Sequence, residues 1–308
     1  MTRAAELVNP SRRMRRKAAA ESSERSIVSH LDRRRPGVRV VVWIGTVVVL
    51  IAITVVCVGP LLWLFKAATS TSNQILADPF SLWPTGLHWE NFAEAWTKVD
   101  FGRYFLNTLW TVGGTTIVGL IVATTGGYGL AVLKPKYAKV VFVAVLATLF
   151  VPGVISLVSL YLTMNDLGLL GTYPAVWLPA AASAFSVLLV QRFFAGIPAE
   201  IFEAARIDGA GPFRIFFSLV LPLSRPVIGV VALLTAIGSY KDFLWPLLAL
   251  PDPSMQPISV VLPSFSHNMP LAQFMAVLFV SVLVPVALFM VFQRDILRAA
   301  GNSGAVKG

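Results

Sequence analysis

Charge is what this chain has least of. Asp, Glu, Lys and Arg make up 13% of its 308 residues, about half the share of a soluble domain, which excludes an ordinary water-soluble globular protein. Cysteine is nearly absent. The single Cys57 lies inside an apolar run and supports neither an intramolecular disulfide nor a cysteine metal centre. His30, His88 and His267 stand far apart without ligand spacing, so no metal site is expected. No Gly-rich turn ending in Gly-Lys-Ser/Thr is present to cradle nucleotide phosphates. No Ser-His-Asp or Cys-His set has a plausible frame. The chain is therefore expected to be no enzyme and to bind no cofactor of its own. Repeats at a fixed period are missing as well.

Apolar residues fill the place of charge. They form 56% of the chain, and the mean hydropathy is +0.75. The apolar runs reach about 20 residues, the length of a helix crossing a roughly 30 Å hydrocarbon core. Barrel strands would be about 10 residues long and alternate in polarity. The expected fold class is an all-α integral membrane protein with six transmembrane helices, over residues 40–65, 104–133, 140–162, 173–193, 227–250 and 271–292. The first run is uncharged for 26 residues, longer than the about 7–15 residues of a signal-peptide core. It is read as a span retained in the mature chain.

An even number of spans puts both termini on one side. Eleven of the 25 Lys and Arg precede Val40. With the N-terminus inside, 21 of the 25 fall on inside segments, and only Lys66, Lys98 and Arg103 fall outside. Positive charge marks the cytoplasmic side, so both termini are expected in the cytoplasm. The net charge of +10 is then a topology signal beside anionic membrane lipid, not a nucleic-acid site. The expected organisation is a flexible basic cytoplasmic tail (1–39), a transmembrane domain (40–292) and a cytoplasmic C-terminal tail (293–308). Residues 66–103 form an extracytoplasmic loop carrying Trp83, Trp89 and Trp96, residues suited to the membrane–water interface. Residues 195–226 form a cytoplasmic loop.

That cytoplasmic loop holds the stretch FEAARIDGAGPFRIFFSLVLPLSRP, residues 202–226. Pro198 can open a helix, Gly209 can close it as a left-handed cap, and Pro212 can open a second one. Phe213, Phe216, Phe217 and Val220 then share one apolar face. The result is a helix–turn–helix at the membrane surface. Glu203 and Arg206 can pair on it at i and i+3. Ala204 and Ala205 leave a shallow, small-residue surface on which another protein can seat. An amphipathic pair packed under the bundle is the plainer reading.

The spacing Glu203-Ala204-Ala205, three residues, Gly209, then Leu219, one residue, Leu221-Pro222 resembles the EAA loop of ABC-importer permeases, with Leu219 where that pattern has Ile. NDLGLLGTYPAV, IPAEIFEAARIDGAG, LPLSRPVI, YFLNTL, DFLWPL and the C-terminal FQRDILRAAGNSGAVKG are similar to the carbohydrate-uptake branch, the maltose-type second permease subunit. The resemblance covers about residues 40–308. It implies a permease subunit of a sugar or oligosaccharide importer in a bacterial plasma (inner) membrane. Its partners would be a second homologous permease in a heterodimer, two cytoplasmic ABC ATPases that carry ATP and Mg2+, and an extracytoplasmic solute-binding protein. It implies ATPase coupling through Glu203, Ala204, Ala205, Arg206, Asp208 and Gly209. It also implies a C-terminal contact with the ATPases through Gly304, Val306 and Lys307. Another solute, such as a phosphorylated sugar derivative, polyol or amino acid, fits the same loop. A secondary transporter working alone would be favoured by inverted repeats, and none is found.

Lys241 and Asp242 are the remaining signal. Both lie in the fifth expected span, where an ionisable residue costs about 2.5–3.5 kcal/mol on insertion scales and faces a polar cavity or a partner. Tyr240, Lys241, Asp242 and Asn107 are the candidate substrate-pathway residues. The resembling family has Trp-Asn-Asp-Phe where this chain has Tyr240-Lys241-Asp242-Phe243, and Lys in that position points towards a negatively charged substrate. A cation–π contact of Lys241 with Trp245 is expected at i and i+4, and Pro246 is expected to free a carbonyl. Pro152 and Gly153 allow a kink in the third span, and Gly126-Gly127 serves close helix packing in the second.

Overall fold

A computed structural model describes residues 36–305 apart from Leu82, Thr85 and Val99, and side chains within residues 37–294. Residues 1–35, most of the expected basic tail, lie outside the described residues, as do Val306 and Lys307. Among the described residues every regular element is helical. Contacts divide the chain into Met1–Trp63 and Leu64–Gly308.

The first unit holds most of α1 (Pro36–Ala68). No charge stands between Arg39 and Lys66, and the most apolar 18-residue window within Gly37–Ala68 has a mean hydropathy of 2.9.

In the second unit, α2 (Ser72–Ala77) and α3 (Glu90–Lys98) build a small cap after α1. Thr71 and Gln74 form a reciprocal capping box at the start of α2. The Lys66 ammonium, though buried, donates to the Asp78 carbonyl at 2.8 Å. The Asn91 amide donates to the Ala68 and Ser70 carbonyls. Trp83, Trp89 and Trp96 are exposed around this cap.

The central post is α4 (Phe101–Tyr128), continued by a π turn at Gly129–Leu133. After it come α5 (Ala138–Thr148), α6 (Leu157–Asp166), α7 (Pro174–Ala181) and α8 (Ala184–Ala195). A surface pair follows: α9 (Ala199–Ile207) and α10 (Pro212–Leu223), the latter containing a second π turn at Phe216–Val220. The chain ends with α11 (Arg225–Lys241), α12 (Leu244–Ala249), α13 (Ile258–Asn268) and α14 (Leu271–Ala305). Helices α7, α8 and α11 pack on α4, and α14 packs on α11.

Among the described residues three helices are long and apolar enough to cross a membrane: α1, α4 with its π turn, and α14 as far as Arg294. Two bent pairs pass the same test: α7 with α8, bent by 48°, and α10 with α11, bent by 78°. This departs from six straight spans in three places. Residues 140–162 are not one helix. Helix α5 stops at Thr148, the chain runs through consecutive turns, and α6 starts at Leu157. Pro152 has no N–H to continue the ladder and disfavours helix in the residue before it, so a full break replaces the expected kink. Residues 173–193 bend at Ala182-Ser183, where the Ser183 hydroxyl caps α8 by accepting from the Ser186 N–H at 3.3 Å. Residues 227–250 break at Asp242, whose backbone is extended (φ −70°, ψ 121°).

Of the expected pair Gly126-Gly127, Gly127 is the more closely packed. A Cβ built there would lie 2.8 Å from Val190 Cγ1 and 3.0 Å from the Gln191 nitrogen. At Gly113, on the same helix, a Cβ would meet nothing within 4 Å. Overpacking costs about 1–3 kcal/mol, against a helix-propensity gain of up to about 1 kcal/mol for Gly→Ala. Gly127→Ala is therefore expected to lower the thermal midpoint of the detergent-extracted protein. Gly113→Ala is expected to hold or raise it. Equal shifts for both would contradict this packing.

Candidate functional site

Two places concentrate polar groups. The first is the surface pair α9–α10. Pro198 does not open α9 from inside. It precedes the helix with φ −56° and ψ 137°, and Ala199 is the first helical residue. Gly209 sits at φ 75°, the left-handed region that glycine enters without a Cβ penalty. It turns the chain so that Pro212 can start α10. The apolar face differs from the expected one. Ile215, Phe216 and Val220 are buried, whereas Phe213 and Phe217 are exposed. The π turn at Phe216–Val220 adds a residue and takes Phe217 out of register with the buried side, whereas Phe213 lies before it, in the first turn of α10.

The pair is held to the post by Tyr128, whose hydroxyl donates to the Pro212 carbonyl at 2.9 Å. The Tyr128 ring lies 4.9 Å from that of Phe216. Glu203 and Arg206 do not pair: among the described residues no ion pair joins them. Both instead line a cavity of about 420 Å³ with Lys134 and Phe202. Glu203, Ala204, Arg206, Asp208 and Gly209 are exposed and Ala205 is half-buried. Ile207, 87% exposed, and Phe213, 81% exposed, stand either side of the turn. Gly304, the described member of the expected C-terminal contact, lies within α14.

The second place is a cavity of about 440 Å³ between α4, α7, α8 and α11. Lys241 and Asp242 both line it, with Thr115, Ser183, Ser186 and Ser239. The break in α11 explains how an acidic residue fits there. The Asp242 carboxylate accepts from the Trp245 N–H at 3.4 Å, capping α12. Pro246 has no N–H to return to the carbonyl four residues back, and the Ser259 hydroxyl takes that Asp242 carbonyl at 2.7 Å. Sequence reasoning foresaw a freed carbonyl here. It missed the serine, which lies 17 residues further on.

The same break cancels the expected Lys241–Trp245 contact. Trp245 leaves the i+4 register, is buried, and donates its indole N–H to the Ala175 carbonyl at 3.0 Å. The structure does not bring Tyr240 or Asn107 to this cavity. The Tyr240 hydroxyl donates to the Ser281 carbonyl on α14 at 2.5 Å. The Asn107 amide donates to the Ser254 and Gln256 carbonyls at 2.8 and 3.0 Å, and its oxygen accepts from the Tyr173 hydroxyl at 2.9 Å. It ties the turn between α12 and α13 to the post. In that turn Asp252 accepts the Ser254 N–H at 2.8 Å. The Ser254 backbone and side-chain hydrogen bonds hold the Asp252 carboxyl below its usual range.

Ser183, Ser186 and Thr115 were missed from the sequence. A serine between two short apolar helices carries a signal only once the bend at Ala182-Ser183 is known. Among the described residues no group of acidic, histidine or cysteine side chains could hold a metal ion.

Bent spans around a polar cavity, with a surface helix pair at one end, define a membrane transport protein. The family described as "Binding-protein-dependent transport system inner membrane component" matches residues 115–300, a stretch that holds both places, and the chain belongs to that family. It is thus a permease of the ABC-importer kind. The chain is 31% identical to the diacetylchitobiose uptake permease NgcG of Streptomyces coelicolor, over 80% of this chain and 83% of that protein. It is 31% identical to the melibiose/raffinose/stachyose import permease MelC of Bacillus subtilis, over 79% and 91%. It is 29% identical to the sn-glycerol-3-phosphate permease UgpE of Rhizobium meliloti, over 82% and 93%. A bacterial ABC transporter involved in import of the acidic polysaccharide alginate shares the fold, with a TM-score of 0.75 at 20% identity, over 88% of this chain and 99% of that one.

Asn107 is expected to act through structure. Asn107→Ala leaves two carbonyls and a phenol without their partner, a loss of about 1–3 kcal/mol for each buried group left unsatisfied. Faster proteolysis in residues 251–257 and a lower thermal midpoint are the expected outcome. An unchanged midpoint with altered solute selectivity would place Asn107 in the pathway instead.

Proposed function

We propose that this chain is a permease subunit of an ATP-driven importer for a neutral sugar or oligosaccharide in a bacterial inner membrane. In this reading it crosses six times, the sixth crossing being the broken α5–α6 segment, with both termini in the cytoplasm. It pairs with a second, homologous permease to enclose the pathway. An extracytoplasmic binding protein delivers the solute, and two cytoplasmic ATPases carry ATP and Mg2+.

The observation that carries the coupling role is the surface of α9–α10. A turn that projects two large apolar side chains, Ile207 and Phe213, among Glu203, Arg206, Asp208 and Arg214 suits a protein partner. The charges would be out of place in lipid, and the apolar pair would be out of place in water. The relatives named for diacetylchitobiose and for melibiose, raffinose and stachyose support sugar as the solute. The sn-glycerol-3-phosphate permeases support a phosphorylated derivative as the second reading.

The proposed mechanism is consistent with the contacts of α9–α10. ATP binding closes the partner ATPases and moves α9–α10. Tyr128 ties that pair to the α4 post, so the motion reaches the helices that wall the cavity. The pathway opens outward, and hydrolysis resets it inward. The free energy comes from the partner chains, since ATP has its site there.

Glu203→Lys combined with Ala204→Asp places a reversed charge and a new one on the docking face. Uptake is expected to fall by at least about tenfold, the effect of losing roughly 1.4 kcal/mol of contact, with the amount of protein in the membrane unchanged. Transport at the wild-type rate would sink the coupling role.

A further inference from the structure

Where α4 meets α10 and α11 there is a groove of about 500 Å³ with a different chemistry from the polar cavity. Leu120, Ile121, Phe217 and Ile228 form its walls. Thr124 and Thr125 also line it, but their hydroxyls donate to the Leu120 and Ile121 carbonyls at 2.7 and 2.6 Å. Both protons are spent on their own helix, so neither is left for a polar solute. The one ionisable residue on the lining is Arg225, which is exposed and joins no ion pair among the described residues. The groove is ordered along the span. Tyr128 stands at the surface pair, and Ile121, seven residues earlier on α4, lies about 10 Å deeper at 1.5 Å per residue. Arg225 is the first residue of α11, at the bend that leaves the surface pair, and Ile228 follows nearly one turn further in. The cation is therefore at the surface end and the apolar walls are deeper. The positive end of the α11 dipole lies with Arg225.

We infer that this groove holds one anionic phospholipid, with an acyl chain against Ile121, Phe217 and Ile228 and the phosphate on Arg225. A phospholipid in the leaflet at this end has the same order, anion at the surface and hydrocarbon beneath it. The volume is within the range of small-molecule sites. The chain gains little by entering, because lipid tails are as apolar as these walls. Selectivity then rests on the headgroup, where a guanidinium and a phosphate form charge-assisted hydrogen bonds. A zwitterionic lipid brings its own ammonium beside Arg225 and is disfavoured. A protein helix in the groove would need a carboxylate at one fixed position to match that arginine. The walls come from both the α4 post and the surface pair, so the lipid bridges the two at the 78° bend between α10 and α11. This needs only the membrane setting and not the importer reading.

The test uses the full chain with any subunits that co-purify, extracted in detergent and stripped of lipid. It is titrated with dioleoyl phosphatidylglycerol or dioleoyl phosphatidylcholine, which share their chains and differ in net charge. Bound lipid is counted by native mass spectrometry. Other basic residues contribute to every variant alike, so the change between variants is the readout. Arg225→Gln is expected to cut the preference for phosphatidylglycerol about fivefold, the roughly 1 kcal/mol that one basic residue contributes beside anionic lipid. Binding of phosphatidylcholine is expected to stay the same. Arg103→Gln, at the opposite end of α4, is expected to leave the preference unchanged. Ile121→Trp, which fills the groove and keeps Arg225, is expected to lower binding of both lipids. sn-Glycerol 3-phosphate, a phosphate without chains, is expected not to displace phosphatidylglycerol. With Cys57→Ser removing the native thiol, a photocrosslinker on Ile121→Cys is expected to capture lipid. A preference that survives Arg225→Gln or falls equally in Arg103→Gln overturns the site. So does unchanged binding in Ile121→Trp, displacement by the chainless phosphate, or capture of a co-purifying subunit. Absence of ATPase subunits from the preparation would count against the importer reading alone.

Discussion

Inside a membrane, a backbone N–H or C=O that leaves a helix ladder must find another partner, because no water is there to take it. That requirement governs this chain more than any side-chain contact. Helix-breaking residues recur in its apolar text, and each break needs local satisfaction. At Ala182-Ser183 the serine hydroxyl caps the next helix. At Asp242 the carboxylate caps α12 and Ser259 takes the freed carbonyl. The polar groups that allow these breaks are the same ones that make the cavity polar. A polar cavity and a set of broken helices are therefore one construction.

The cap and the turn between α12 and α13 obey the same rule with different means. Lys66, Asn91 and Asn107 each use a side-chain amine or amide to pair backbone carbonyls at helix ends. Each of these polar residues is buried, and each has its partners within this chain. Thr115 is also buried, but its hydroxyl has no partner. Thr111 and Ser224 share that state, so an unpartnered hydroxyl does not by itself mark a path.

The helical class, the outer spans and the helix–turn–helix were legible because they depend on local properties. Run length set α1 and α14. Gly209 and Pro212 set the turn, and the spacing from Glu203 to Pro222 carried the resemblance. The breaks at residues 149–156 and 242 were less legible, since hydropathy windows average over a single proline or aspartate. Asn107 was misplaced for a different reason. A polar residue entering a span reads the same whether it faces a solute or a carbonyl 147 positions away. Phe217 failed through periodicity, because one π turn shifts the register by a residue, and Phe213 failed because it stands in the exposed first turn of α10. Lys241 and Asp242 were found because charge at membrane depth is rare enough to be informative alone.

The two polar places sit at different depths, and one helix connects them. Helix α4 carries Thr115 at the cavity and Tyr128 at the surface pair, 13 residues or about 20 Å apart at 1.5 Å per residue. Along that length it is closely packed: Gly127 meets Val190 on α8 with no room for a Cβ, and Gly114 meets the Trp177 ring on α7 in the same way. A helix so confined transmits displacement rather than absorbing it. Compliance is concentrated at its surface end, where the π turns at Gly129–Leu133 and Phe216–Val220 flank the Tyr128–Phe216 contact. Stiff along the span and adjustable at the joint, α4 can carry movement of the surface pair to Thr115. In the proposed importer, the same contacts that position the fold form the route from the surface pair to the cavity.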